Sequence, residues 1–132
     1  MADSALVELL RTLVPDAATT LTDDGAVEVA TDPDVEDAVA VRVTDDAVEL
    51  RLPTVVWVGQ TPEATTRLWR RIPLADAGPG TDEIRDAVRR ARRARKREWA
   101  TCRFCGERVP REHRIDADTC HGCASEHLGV VF

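Results

Sequence analysis

The chain has 132 residues, 43% hydrophobic and 32% charged, with a formal net charge of -6. That length allows one compact domain and a small appendage but not two full cores, and the composition excludes a disordered polymer. No apolar run exceeds four residues, too short to span a bilayer, and no basic start with an apolar stretch and cleavage site marks export, so a cytoplasmic protein with no membrane contact is expected.

Charge is unevenly distributed. Residues 1–60 sum to -10, residues 61–98 to +5 and residues 99–132 to -1. The order is an acidic front, a basic middle and a near-neutral tail.

Leu6, Leu9, Leu10 and Leu13 fall at the spacing of one helical face and predict an amphipathic helix over 4–14. Asp3 or Ser4 would cap it and Pro15 would stop it. From residue 20 to 72 the period changes from 3.6 to 2. Asp23-Asp24-Gly25 predicts a tight turn between residues 20–22 and a strand over 26–30. Val39, Val41 and Val43, then Val48, Leu50 and Leu52, alternate on either side of Asp45-Asp46 and predict a hairpin with one apolar face. A third run, 54–58, ends at Gly59 and a turn over 60–63.

Residues 64–72 support two readings. Pro62 would suit the first position of a helix, whereas Thr65, Thr66, Trp69 and Ile72 favour a strand, which is the preferred expectation. Residues 75–80 (Ala-Asp-Ala-Gly-Pro-Gly) read as a linker. Thr81 would cap the next helix, with Asp82 and Glu83 in its first turn, where the backbone dipole favours anions. Ile84, Ala87, Val88, Ala91 and Ala94 give it a narrow apolar stripe, seven of the nine residues 89–97 are basic, and Trp99 would close it. The expected organisation is α+β: an acidic domain over 1–74 built from an N-terminal helix and an antiparallel β-meander, a linker over 75–80, a long basic helix over 81–100, and a C-terminal four-cysteine zinc finger over 101–132.

Cys102, Cys105, Cys120 and Cys123 form two Cys-x-x-Cys pairs with fourteen residues between them. Zinc takes four donors at tetrahedral corners, and a two-residue gap lets both thiolates of a pair reach one ion. Gly106 directly after the first pair suits a knuckle that needs a positive φ. Structural disulfides would need an oxidising compartment, a thioredoxin-like site would use one pair only, and known ferredoxin spacings differ. The spacing therefore predicts one structural zinc ion held by these four cysteines.

On Cys102-Arg-Phe-Cys105-Gly106, the hairpin-like stretch from Arg108-Val-Pro to His113-Arg-Ile115, and Asp118-Thr-Cys120-His-Gly-Cys123-Ala, the tail resembles a zinc-ribbon or treble-clef finger. The resemblance covers residues 101–132 only. It implies that the second pair opens a helix capped by Thr119 and running to about Leu128, ended by Gly129, with residues 130–132 packing back. It implies a fold for the tail and no activity.

Four cysteines fill a zinc shell and leave no open position for water, so catalysis at the metal is not expected. His113-Arg-Ile-Asp116 resembles a nuclease motif of the His-Asn-His type only faintly, since the chain has no asparagine. His121 lies between ligands and His127 near a helix end; all three histidines are expected to be non-ligating. With no phosphate loop, no Ser-His-Asp set, and front-domain acids in turns or opposite the valines, neither an enzyme nor a small-molecule substrate is expected. The leading expectation is a non-enzymatic adaptor for an unidentified protein partner. The alternative is nucleic-acid binding through Arg89, Arg90, Arg92, Arg93, Arg95, Lys96 and Arg97. Base-stacking sites interleave exposed aromatics with arginine; only Trp99 and Phe104 are placed for that, and covering the finger is their expected use. If those arginines instead met the acids of residues 23–49, the helix would be an internal strap.

Overall fold

The structure is a computed structural model that describes residues 4–74 and 81–129. The expected linker and the segment 130–132 lie outside the described residues, as do Asp3 and the side chains of Ser4 and Thr81 expected as caps.

The leucine-rich segment forms α1 (Ser4–Leu13). Leu10 is fully buried and Leu6, Leu9 and Leu13 partly so. Five antiparallel strands follow, paired in chain order: β1 (Ala18–Leu21), β2 (Val27–Ala30), β3 (Ala40–Val43), β4 (Ala47–Val58) and β5 (Thr61–Pro73). Among the described residues the fold is thus mixed, with an antiparallel sheet and three α-helices, and its sheet is the expected meander.

Residues 64–72 are strand, within a β5 that starts at Thr61 immediately after the Gly59-Gln60 turn. The two runs expected at 48–52 and 54–58 form one continuous strand, β4. Pro53 interrupts the sequence but not the strand, because β3 pairs no further along β4 than Arg51. Beyond that point the side of β4 facing away from β5 has no strand beside it, so a missing N–H costs nothing there. The β4–β5 ribbon therefore projects past the rest of the sheet. A bulge interrupts its register, since Leu50 opposes Arg70 while Arg51 opposes Leu68, leaving Trp69 as the extra residue.

Strand register assigns the two faces. Val29, Val41, Val43, Val48, Leu50 and Ile72 line one face and pack with Leu10 and Val14 into a single apolar cluster. On the other face, Glu28, Arg42, Glu49 and Arg71 stand opposite one another on β2, β3, β4 and β5 as a row of alternating charge. Opposite-charge cross-strand neighbours contribute about 0.2–1 kcal/mol each.

Helix α2 (Thr81–Lys96) adds Ile84, Ala87, Val88 and Ala91 to the same cluster. The predicted apolar stripe is thus one wall of the sheet's core. The helix ends four residues before the expected limit. Its last turn tightens through Glu98 N–H to Arg95 O and Trp99 N–H to Lys96 O, and Ala100 passes into a strand.

The tail holds the short hairpin β6 (Ala100–Thr101) and β7 (Arg108–Val109), a 3-10 turn over Arg111–His113, and α3 (His121–His127). The hairpin expected over 108–115 is shifted: β7 pairs backwards with β6 around the first cysteine pair, and Arg114 makes a single bridge to Cys120. No helix among the described residues is long and apolar enough to cross a membrane.

Candidate metal centre

The β6–β7 hairpin carries the first cysteine pair at its turn. Cys102 N–H donates to Glu107 O at 2.8 Å and Gly106 N–H to Cys102 O at 2.9 Å, closing a tight knuckle. Gly106 has φ of +76°, the left-handed conformation anticipated there. The second pair opens α3. Cys120 itself caps that helix, its sulfur accepting from Cys123 N–H at 3.4 Å, so the cap is one residue later than the expected Thr119. Thr119 is instead fully buried, with its carbonyl accepting from Ile115 N–H. Gly129 follows the helix with φ of +68°, a common helix terminator.

These two local structures converge. All four sulfurs lie within 4.8 Å of one another, and Cys105 Sγ is 3.9 Å from Cys120 Sγ. Metal–sulfur bonds of about 2.3 Å at tetrahedral corners place sulfurs about 3.8 Å apart, so the cluster has the size of a four-thiolate metal site and is compatible with zinc. Cys102 and Cys123 are buried and Cys105 is exposed, and all four are free thiols.

Electrostatics sharpen the case for a cation. Backbone N–H groups of Cys105 and Cys120 aimed at Cys102 lower its thiol to about 6. Burial raises Cys123, and the neighbouring thiols raise it further. One thiolate forms readily, and each additional one meets the charge already present. A divalent ion removes that repulsion. No histidine belongs to the cluster. His121 is the first residue of α3, its ring 6.3 Å from that of Trp57 on the projecting ribbon, and His127 stacks on Phe104 with centroids 4.6 Å apart.

Charged side chains attach the tail to α2. Arg95 is completely buried and grips Glu112 with both terminal nitrogens, at 2.9 and 2.6 Å, while reaching Glu98 at 3.2 Å. Glu98 also accepts from Arg67 of β5, and its carbonyl accepts from Arg114 at 2.6 Å. Arg108 of β7 pairs with Glu36 in the β2–β3 connection at 2.7 Å. Burial raises the Glu112 carboxyl, but hydrogen bonding and charge from Arg95 outweigh it and leave the group below the usual carboxylate range.

The seven basic residues singled out in α2 and just beyond it do not share one surface. Arg95 is interior and cannot meet a partner. Arg92 is half-buried, donating to Leu13 O at 3.0 Å and pairing with Asp37 at 2.7 Å, the one member that meets the acids of the front segment. Arg90 pairs with Asp86 one turn earlier. Arg89, Arg93, Lys96 and Arg97 are exposed. Of the seven, only Arg92 makes the direct ion pair a strap would need, while Lys96 adds a longer-range attraction to Glu36. Trp99 and Phe104 also separate: Trp99 is half-buried under the Arg95 guanidinium, 5.8 Å from its ring, while Phe104 is exposed.

Sequence reasoning missed Glu98 and Glu112, whose role depends on partners distant in the chain. Arg85 begins the basic stretch 85–97 considered for nucleic-acid binding but is not among the contact residues singled out, although its four-residue spacing to Arg89 and Arg93 would have flagged it. No protein-family model, curated protein or solved structure matches the chain.

Proposed function

We propose that the chain is a non-enzymatic, zinc-holding adaptor. Cys102, Cys105, Cys120 and Cys123 would close around one zinc ion, which shapes the tail and leaves no coordination position for a substrate or water. The convergence of the four sulfurs within 4.8 Å carries this reading. The knuckle followed by a cysteine-capped helix supports a treble-clef-like finger. One zinc per chain by elemental analysis is the expected result. A protein purified from metal-replete medium that holds none, or that holds one equally well as Cys120→Ser, would remove the proposal.

A protein partner is the reading favoured for the adaptor role. Ten large hydrophobic side chains are exposed among the described residues, and five lie on β4 and β5: Val56, Trp57 and Val58 at the projecting end of the ribbon, and Leu68, opposite Arg51, with the bulged Trp69 nearer the sheet. Apolar side chains gathered on a projecting end mark a protein interface more often than scattered ones do. Replacing Trp57 and Val58 with serine should abolish capture of that partner and leave the metal content at one. Unchanged capture by this variant excludes the ribbon as the docking element.

Nucleic-acid binding is the second reading. The observation favouring it is that Arg89, Arg93, Lys96 and Arg97 remain exposed and form no ion pair with any described residue. An electrophoretic shift assay over a salt series tests it.

A further inference from the structure

Helix α2 presents two sides with different chemistry. Its buried stripe packs on the sheet, and the adjoining side faces the end of α1 across a concavity of about 540 Å³. Arg85, Arg89, Arg93 and Lys96 form one wall. Successive arginines four residues apart stand about 6 Å apart along a helix, which gives a regular row of positive charge. Leu13 and Pro15 form the opposite wall, and Val88 adds a further apolar contact.

Arg92 spans the groove and is spent on Leu13 O and Asp37, the only carboxylate among the lining residues. The neighbouring Glu36 is likewise taken up by Arg108, which lowers its carboxyl. Both of these acids are therefore paired, and the four wall cations face solvent without direct ion pairs among the described residues, Lys96 adding only a longer-range attraction to Glu36.

We infer that this groove is a nucleic-acid contact surface that takes the sugar–phosphate backbone of a strand. The inference rests on the nucleic-acid reading above and assigns it a place, adding Arg85 and removing Arg90, Arg92, Arg95 and Arg97. A strand supplies one anion at every residue, matching a repeated row of cations better than a single bound carboxylate would. Arginine forks grip phosphate oxygens in pairs, and the Leu13–Pro15 wall suits the apolar faces of sugars. The groove lining contains no aromatic residue to stack a base, so binding is independent of sequence. The groove shares no residue with the apolar ribbon, so both surfaces can be occupied together.

Fluorescence anisotropy with a labelled 20-nucleotide single strand, using the zinc-loaded full chain, tests this. If each wall cation neutralises one phosphate, affinity falls about fifty-fold between 50 and 200 mM salt. The triple variant Arg85→Ala/Arg89→Ala/Arg93→Ala keeps a single wall cation. Its affinity should fall at least about tenfold at 50 mM salt, and its salt response should shrink to about threefold. All three side chains are exposed, so the variant's thermal unfolding should match the parent and separates lost contact from lost fold.

No binding by the parent at 50 mM salt overturns both the inference and the nucleic-acid reading. Undiminished binding by the groove variant, with loss in Arg97→Ala/Arg103→Ala/Arg111→Ala, overturns the groove and leaves the reading standing. Equal affinity for polyglutamate at matched charge overturns both in favour of an acidic protein segment.

Discussion

Fourteen apolar side chains between Leu10 and Ala91 are buried in one cluster, whereas the tail from Ala100 onward buries only Cys102, Pro110, Thr119, Cys123 and Ala124 among the described residues. At about 1.5–3 kcal/mol for each large side chain removed from water, the first region has a hydrophobic core sufficient to order a sheet. The second does not, and two of its five buried residues are the proposed ligands themselves. The difference teaches where each region's order originates: in the first from desolvated valines and leucines, in the second from convergent thiols and a few buried ion pairs.

Metal removal should expose that difference most strongly. Zinc binding supplies about 10–16 kcal/mol in small finger peptides, so chelation or Cys120→Ser should unfold the tail. The sheet and its two long helices should survive, because no thiol contributes to their apolar cluster. Amide exchange mapped along the chain reads this directly; simultaneous loss of protection in β3 and α3 would erase the distinction between the regions. The reverse perturbation is Leu50→Ala, at a fully buried central position. It should cost about 2–5 kcal/mol in thermal or urea unfolding while leaving one metal per chain in the folded protein.

The junction between the regions is sensitive in a different way. Glu112→Ala leaves the buried Arg95 guanidinium without its two-pronged partner and should cost about 3 kcal/mol. The double variant Arg95→Met/Glu112→Leu should recover most of this loss, because the buried guanidinium is removed with its partner while Glu98 keeps Arg67; failure to recover would show that the pair contributes more than charge neutralisation.

Acid should reveal the same contact. Because the Glu112 carboxyl is lowered in the folded protein, its contribution is complete above the unfolded value of about 4.3 and disappears as pH falls through the lower folded value. The stability gap between parent and Glu112→Gln should therefore be constant from pH 7 to 5 and narrow as pH falls below about 4.3. A gap that is unchanged or wider at pH 3 than at pH 7 would contradict that assignment.

The smallest expected effect is at the knuckle. A Cβ on Gly106 would meet no atom within 4 Å, so Gly106→Ala would be penalised only for its φ of +76°. A cost of about 1 kcal/mol corresponds to roughly fivefold weaker metal affinity in a competition titration. A hundredfold loss would mean that the knuckle is strained in some further way.

Much of the candidate site was legible because its signals are local. Two Cys-x-x-Cys pairs, a glycine after the first and a helix opened by the second depend on neighbours within four residues. The cap was misplaced by one residue because a thiol of the pair, rather than the adjacent threonine, accepts the helix N–H. The basic segment was less legible. Seven cations in nine positions describe a composition, and the sequence cannot distinguish Arg95, sealed against Glu112, from Arg93, two residues earlier and exposed to solvent.

Alternating valines and the leucine stripe by themselves determined the meander and α1, since side-chain period is a property of the chain's own geometry. Cysteine spacing likewise determined the thiol cluster. Only the tertiary structure decided that α2 completes the sheet's core, that Arg92 and Arg95 are consumed internally, and that Arg85, Arg89, Arg93 and Lys96 line a groove with the end of α1. Each of those outcomes depends on contacts between residues far apart in sequence, such as Asp37 with Arg92. Burial and ion pairing there are set by which surfaces meet, and no local pattern encodes that.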